Sequence, residues 1–195
     1  GKAIAQKNNG TIIPPFDDVN VIIGQGTAGI ECLEQLEEIN VIPDIVLCCC
    51  GGGGLIAGIS TAIKTKFDNA KIYSVEPEYF DDTKISLEKN KIVSNSMKHK
   101  SICDALLAEK PGNITFNINK INLTSGVSVS DDEALKAMNT AFKHFKIVLE
   151  PGGAVALAAA ISEKVKIKNK NILVIASGGN VDKNVFESCL KTETI

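Results

Sequence analysis

The sequence predicts an α/β fold: a parallel twisted sheet with helices on both faces. Three observations carry that expectation. Short apolar runs of strand length alternate with longer stretches whose apolar residues recur at helical spacing. The runs ending at Cys50 and Ala176 are continuously apolar instead of alternating with polar residues, as in strands covered on both faces. Two of them end directly in glycines, Asp44–Cys50 in Gly51-Gly52-Gly53-Gly54 and Asn171–Ala176 in Ser177-Gly178-Gly179.

Taken in order, Ala3 to Asn8 reads as a short helix and Gly10-Thr11-Ile12-Ile13 as a short strand, closed by the turn Pro14-Pro15-Phe16-Asp17-Asp18. From Val19 to Glu38 the spacing of Ile22, Ile30, Leu33 and Leu36 predicts helical material, interrupted near Gly24-Gln25-Gly26. The strand ending at Cys50 follows, then the glycine loop and a helix reaching about Phe67. Lys71 to Pro77 is a second buried-type strand, ended by its proline. Ser130, with Glu133 three residues on, forms a capping box that opens a helix running toward His144. Ala154 to Ile161 is an alanine-rich buried helix, and Asn171 to Ala176 a last strand. Such alternation favours a parallel, helix-covered sheet.

The composition is that of a globular chain. A formal net charge of −2 over 195 residues builds in no general attraction to nucleic acid or to an anionic membrane. Apolar runs stop short of the roughly 20 residues that span a bilayer, and the N-terminus lacks a signal pattern, so a cytoplasmic setting is expected. Six cysteines and two histidines offer no Cys-x-x-Cys pair and no ligand spacing. Reduced thiols serving as small core residues are the expected use.

A buried strand feeding glycines and then a helix points bare backbone N–H groups at an anion, with the helix dipole behind them. A plain strand-to-helix turn needs one or two glycines, not four. In parallel sheets ligands sit beyond the carboxyl ends of the strands, so the loops at 51–54 and 178–179 share one rim and can enclose one ligand. A P-loop is a poor match, because Leu55-Ile56-Ala57 follows where Gly-Lys-Ser/Thr is needed. A dinucleotide fingerprint is met at Gly51 and Gly53 but not at Ile56. Glu76 is compatible with a ribose contact, so an NAD-binding Rossmann protein stays open as a weaker alternative. A single phosphate on successive amides fits better.

Seven stretches resemble, in order, the threonine/serine dehydratases, the pyridoxal-phosphate enzymes of the tryptophan-synthase-β fold that include the serine racemases. They are Pro15–Asp18, Ile23–Thr27, Gly51–Gly58, Val75–Pro77, Val129–Glu133, Leu149–Ala154 and Ser177–Asp182, and together they span the chain. The resemblance implies β-elimination of L-threonine or L-serine to a 2-oxo acid and ammonia, with serine racemisation as an alternative. It implies that the amides of Gly51, Gly52, Gly53, Gly54 and Leu55 bind the cofactor phosphate and that the Ser177 hydroxyl meets the pyridine nitrogen. Glu150 looks like a glutamate that lies near the ring, or equally a helix-start residue ahead of Pro151. Some members hold a divalent cation such as Mg²⁺ through positions matching Glu76, the Phe80 carbonyl and Asp82; Glu76, Asp81 and Asp82 also read as solvated loop charges.

Two departures from the family pattern stand out. Cys103-Asp104-Ala105 replaces the usual Ala-Asp-Gly, and the Ala105 methyl is expected to narrow the site. None of the 21 Lys and Arg residues matches the lysine that bonds the cofactor, which in the family lies in a segment corresponding to sequence before Gly1. The expectation is therefore a C-terminal portion of the large cofactor-binding domain, without the small domain and the catalytic-lysine segment, and inactive by itself. A non-catalytic fragment or oligomerisation domain is the alternative from another class. Family members commonly form homo-oligomers.

Overall fold

The computed structural model describes residues 1–193. Four strands form one parallel sheet: β1 (Ile45–Cys49), β2 (Lys71–Pro77), β3 (Ser125–Val129) and β4 (Ile172–Ile175), in the spatial order β3-β2-β1-β4. The central strand β1 is buried along its whole length, which explains why it is apolar at every position. Its residues divide between two cores. Leu47 and Cys49 face the layer of α6 (Asp131–Thr140), α7 (Pro151–Ile161) and α8 (Lys183–Cys189), whereas Val46, Cys48 and Cys50 face α2 (Val19–Glu38) and α3 (Gly54–Lys64). α1 (Lys2–Lys7) lies at the surface, α4 (Asp82–Lys89) packs on β2 and β3, and α5 (Asn113–Asn122) packs on α3.

Two of the expected elements differ. Gly10-Thr11-Ile12-Ile13 forms no strand: Ile12 and Ile13 are exposed, and an isolated four-residue run has no neighbour to complete a ladder. Helix α2 also runs unbroken through Gly24-Gln25-Gly26. These glycines do not interrupt the helix: Gly24 faces open space, and Gly26 belongs to a close crossing. A side chain at Gly58 of α3 would meet the Ile22 carbonyl at 2.4 Å and the Gly26 amide at 2.5 Å, so the two backbones touch where α2 and α3 pack. Of the apolar positions that marked α2, Ile22 and Leu36 are buried while Ile30 is exposed.

The capping box forms as expected, with Glu133 N donating to Ser130 Oγ at 3.2 Å and Ser130 N donating to Glu133 Oε2 at 2.8 Å. α6 then ends in a π-type turn, Ala141–Phe145, closed by Lys146 in the left-handed region. All six cysteines are free thiols, five of them buried. Among the described residues no helix is long and apolar enough to cross a membrane.

The α2–α3 crossing makes a sharp prediction. Gly58→Ala should lower the unfolding free energy by about 2 kcal/mol or more, because the methyl collides with backbone that cannot rotate away. Urea unfolding followed by circular dichroism measures it, and an unchanged midpoint would refute the crossing.

Candidate functional site

The glycine loop owes its shape to what holds its carbonyls. Gly53 has φ +91°, a left-handed conformation that glycine adopts without strain. The Gly52 carbonyl accepts from Thr115 Oγ1 at 2.7 Å and from Gly112 N at 3.2 Å. The Gly53 carbonyl accepts from Asn119 Nδ2 at 3.4 Å and from Ala57 N at 3.0 Å. With these carbonyls tied toward α5 and into α3, the amides of Gly51, Gly52 and Gly53 have no acceptor among the described residues. They sit with the unsatisfied first-turn amides of α3 at the positive end of its dipole.

The segment Pro15–Asp18 builds the rest of this wall. Phe16 lies against Gly52 and Gly54. Asp17 Oδ1 accepts from Ile114 N at 2.6 Å and Thr115 N at 3.2 Å, capping α5 from 97 residues away, since Gly112 at its N-cap has no side chain to do so. Asp18 Oδ1 caps α2 through Asn20 N at 2.9 Å and Val21 N at 3.2 Å. Thr115, Asn119 and Asp17 are the functional residues that sequence reading missed. Asp17 lies inside a motif that was recognised, but nothing local marks Thr115 and Asn119, which act across the fold.

Across a cavity of about 480 Å³ stand Ser177, Glu150, Cys49 and the turn Asp104–Leu106. Register explains the pairing: β1 and β4 run parallel with Cys48 opposite Ile175, so both strands deliver their next residues to one rim. Cys49 Sγ lies 3.0 Å from Ser177 Oγ. Glu150 is the N-cap of α7 without a side-chain capping bond, and its N–H donates to Gly178 O at 3.0 Å. It therefore starts a helix and lines the cavity at once. Ala105 also lines the cavity, as expected of the position that departs from the family pattern. A larger hollow of about 930 Å³ opens at the opposite ends of the strands; of the lysines that line it, Lys66, Lys164 and Lys170 are each paired with a carboxylate, of Glu37, Glu133 and Asp44, and Lys71 and Lys166 line it as well.

Glu76, Phe80 and Asp82 lie elsewhere, at the end of β2, and none lines the glycine cavity. Glu76 and Asp82 are buried, so reading them as solvated loop charges does not hold; Asp81, the third charge of that reading, is half-buried. Glu76 accepts from Thr83 N and Lys84 N, both at 2.8 Å, and so caps α4. Asp82 Oδ1 accepts from Asn95 Nδ2, while Oδ2 has no partner among the described residues. Burial, then the neighbouring Asp82, pushes the Glu76 carboxyl well above its usual range. Burial also lifts Asp82 from 3.8 to about 7. Among the described residues no cluster of three or more His, Cys, Asp or Glu side chains could hold a metal ion.

These carboxyls set a pH dependence. A folded-state value above the unfolded one means that the stability they lend is complete below about pH 4 and is lost as pH rises through about 7. Unfolding free energies measured between pH 4 and 8 should fall across that window, with Glu76 acting in the same direction. Asp82→Asn should flatten the fall; a slope unchanged by that substitution would assign it to other groups.

Residues 1–178 match the pyridoxal-phosphate dependent enzyme family. The chain is 39% identical over 181 residues to a serine racemase of Schizosaccharomyces pombe and 33% identical over 184 residues to an L-threonine ammonia-lyase of Thermotoga maritima. Those alignments cover 93% and 94% of this chain but 54% and 44% of the relatives, so the chain spans about half the length of the curated relatives it matches. Its fold superposes on the processed form of threonine deaminase isoform 2 from Solanum lycopersicum with a TM-score of 0.87 at 36% identity, over 97% of this chain and 54% of that one. A cradle of free amides facing a serine across one rim, on a sheet shared with these proteins, agrees with that match, and the chain belongs to the pyridoxal-phosphate dependent enzymes, in the threonine/serine dehydratase group that its motifs resemble.

Proposed function

We propose that this chain holds the phosphate and the pyridine nitrogen of pyridoxal 5'-phosphate for an ammonia-lyase acting on L-threonine or L-serine. One observation carries the reading: the unsatisfied amides of Gly51, Gly52 and Gly53 line the same cavity as Ser177. The residues suit the group. Amides backed by a helix N-terminus bind a phosphate, and a serine hydroxyl donates to an uncharged ring nitrogen. When bound, the cofactor supplies an electron sink for the bonds around the substrate's α-carbon. A hydroxyl partner leaves the ring nitrogen uncharged, whereas a carboxylate would hold it protonated. The weaker sink suits loss of a β-hydroxyl more than transamination. Serine racemisation is the second reading, favoured by the 39% identity to a protein of that name.

Among the described residues no lysine lines the cavity. We therefore read the chain as a cofactor-binding portion of the large domain that binds without a covalent bond to its own residues. A titration with pyridoxal phosphate should show saturable binding, weakened about 5-fold by Thr115→Val, which removes the donor that anchors the Gly52 carbonyl. Borohydride treatment followed by peptide mass spectrometry should find no pyridoxyl-lysine at a unique position. A specific labelled lysine would overturn the non-covalent reading, and absence of saturable binding would overturn the cofactor site itself.

Glu76, the Phe80 carbonyl and Asp82 form the proposed seat of a divalent cation. Two buried carboxyls that both resist ionisation, one with an unpartnered oxygen, suit a hard cation such as Mg²⁺, which would discharge them together. Millimolar Mg²⁺ should raise the melting temperature by about 2–4 °C for each kcal/mol of binding at neutral pH. The gain should vanish in Asp82→Asn; an equal gain in that variant would place the ion elsewhere.

A further inference from the structure

The run Cys48-Cys49-Cys50 splits by strand alternation. Cys48 and Cys50 turn into the core beneath α2 and α3, and Cys50 Sγ lies 3.3 Å from Thr83 Oγ1. Cys49 turns the other way, into the glycine cavity, where it is 4% exposed and 3.0 Å from Ser177 Oγ. Ser177 stands at the cavity mouth, just past β4, in a segment with no helix of its own to fix its rotamer. Its hydroxyl carries one hydrogen and two acceptor lone pairs, so it can donate to only one partner at a time.

We propose that Cys49 is a positioning residue of the cofactor site: its S–H donates to Ser177 Oγ and leaves the Ser177 hydrogen free for the pyridine nitrogen. The proposal rests on the reading above that Ser177 meets that nitrogen. The alternative, Ser177 donating to Cys49 Sγ, would turn its hydrogen away from the ring. An uncharged ring nitrogen is a far better acceptor than a thiol sulfur, so bound cofactor selects the first arrangement. Donors aligned head to tail also polarise one another, so a Cys49-to-Ser177-to-ring relay strengthens the last bond. Valine in place of Cys49 keeps the volume but cannot donate; serine restores a donor.

The test is a double-substitution cycle on the full chain, reading the dissociation constant and absorption spectrum of pyridoxal phosphate together. Cys49→Val should weaken binding about 3- to 10-fold and shift the absorption maximum, and Cys49→Ser should restore both. In a Ser177→Ala background Cys49→Val should add less than about a 1.5-fold further loss. Equal losses in both backgrounds, or no effect of Cys49→Val where Ser177→Ala weakens binding, overturns the relay. A second readout needs no cofactor: iodoacetamide alkylation of Cys49, followed by peptide mass spectrometry, should change in rate several-fold in Ser177→Ala. If that rate responds but the wild-type chain binds no pyridoxal phosphate, the pair exists and the cofactor reading falls, taking the proposed role with it. If the rate does not respond, the hydrogen bond itself is refuted.

Discussion

The site depends on the outward anchoring of two carbonyls. Four glycines in a row are conformationally loose, and ordering them costs more backbone entropy than ordering any other four residues. Left free, their N–H and C=O groups would have no fixed sense relative to the cavity. Thr115, Asn119 and the Gly112 amide hold the carbonyls of Gly52 and Gly53, each bond contributing on the order of 1 kcal/mol. A peptide plane has two sides, so a carbonyl tied toward α5 turns its neighbouring N–H toward the cavity. The anchor is itself anchored, because α5 begins where Asp17 accepts its first amides. A constraint therefore passes from residue 17 through residue 115 to the Gly52–Gly53 and Gly53–Gly54 peptide planes, and the amides of Gly53 and Gly54 are its last link.

The parallel sheet supplies the opposite wall by register alone. β1 and β4 are hydrogen-bonded neighbours running the same way, so their carboxyl ends coincide and the loops that follow face one space. Period-two alternation along the end of β1 then decides which thiol points toward Ser177. Cys49 falls on the face of α6 and α7 and reaches Ser177, while Cys48 and Cys50 fill the core beneath α3. The three adjacent cysteines thus share one composition and two kinds of environment. Burial pushes the Cys50 thiol up and holds Cys103 at about 12, so both stay neutral inside the core.

Much of this was legible in the sequence, and what was not has a physical reason. β1 declared itself because a strand covered on both faces must be apolar at every position, and α6 because its capping box is a local device whose partners lie three residues apart. β3 passed unread: Ser125-Gly126-Val127-Ser128-Val129 is an edge strand, half polar, and stands as a strand only because β2 pairs with it. The glycine pair in α2 suggested a break because a sequence shows glycine's flexibility and hides the helix that Gly26 makes room for. The cradle's glycines were visible, but Thr115 and Asn119 were not. Their role is a distance across the fold, and their own neighbourhood has no unusual spacing.

Glu76 shows the same division between local pattern and tertiary fact. At the end of a strand it matched two functional readings, a ribose contact and a cation ligand, and both required a carboxylate facing a ligand. In the fold its two oxygens accept the Thr83 and Lys84 amides, so its first task is to start α4. A capping carboxylate is ordinarily favoured as an anion by those amides and by the helix dipole. Here complete burial and the nearby Asp82 and Asp81 outweigh the two amide bonds, and the net direction is upward. Lys84 does not relieve this, because its ammonium is engaged by Asp81 Oδ2 and Ser128 Oγ, both at 3.0 Å. The cap is therefore held against a standing charge penalty. A proton on one of the carboxyls relieves it, and so would the divalent cation proposed for this seat.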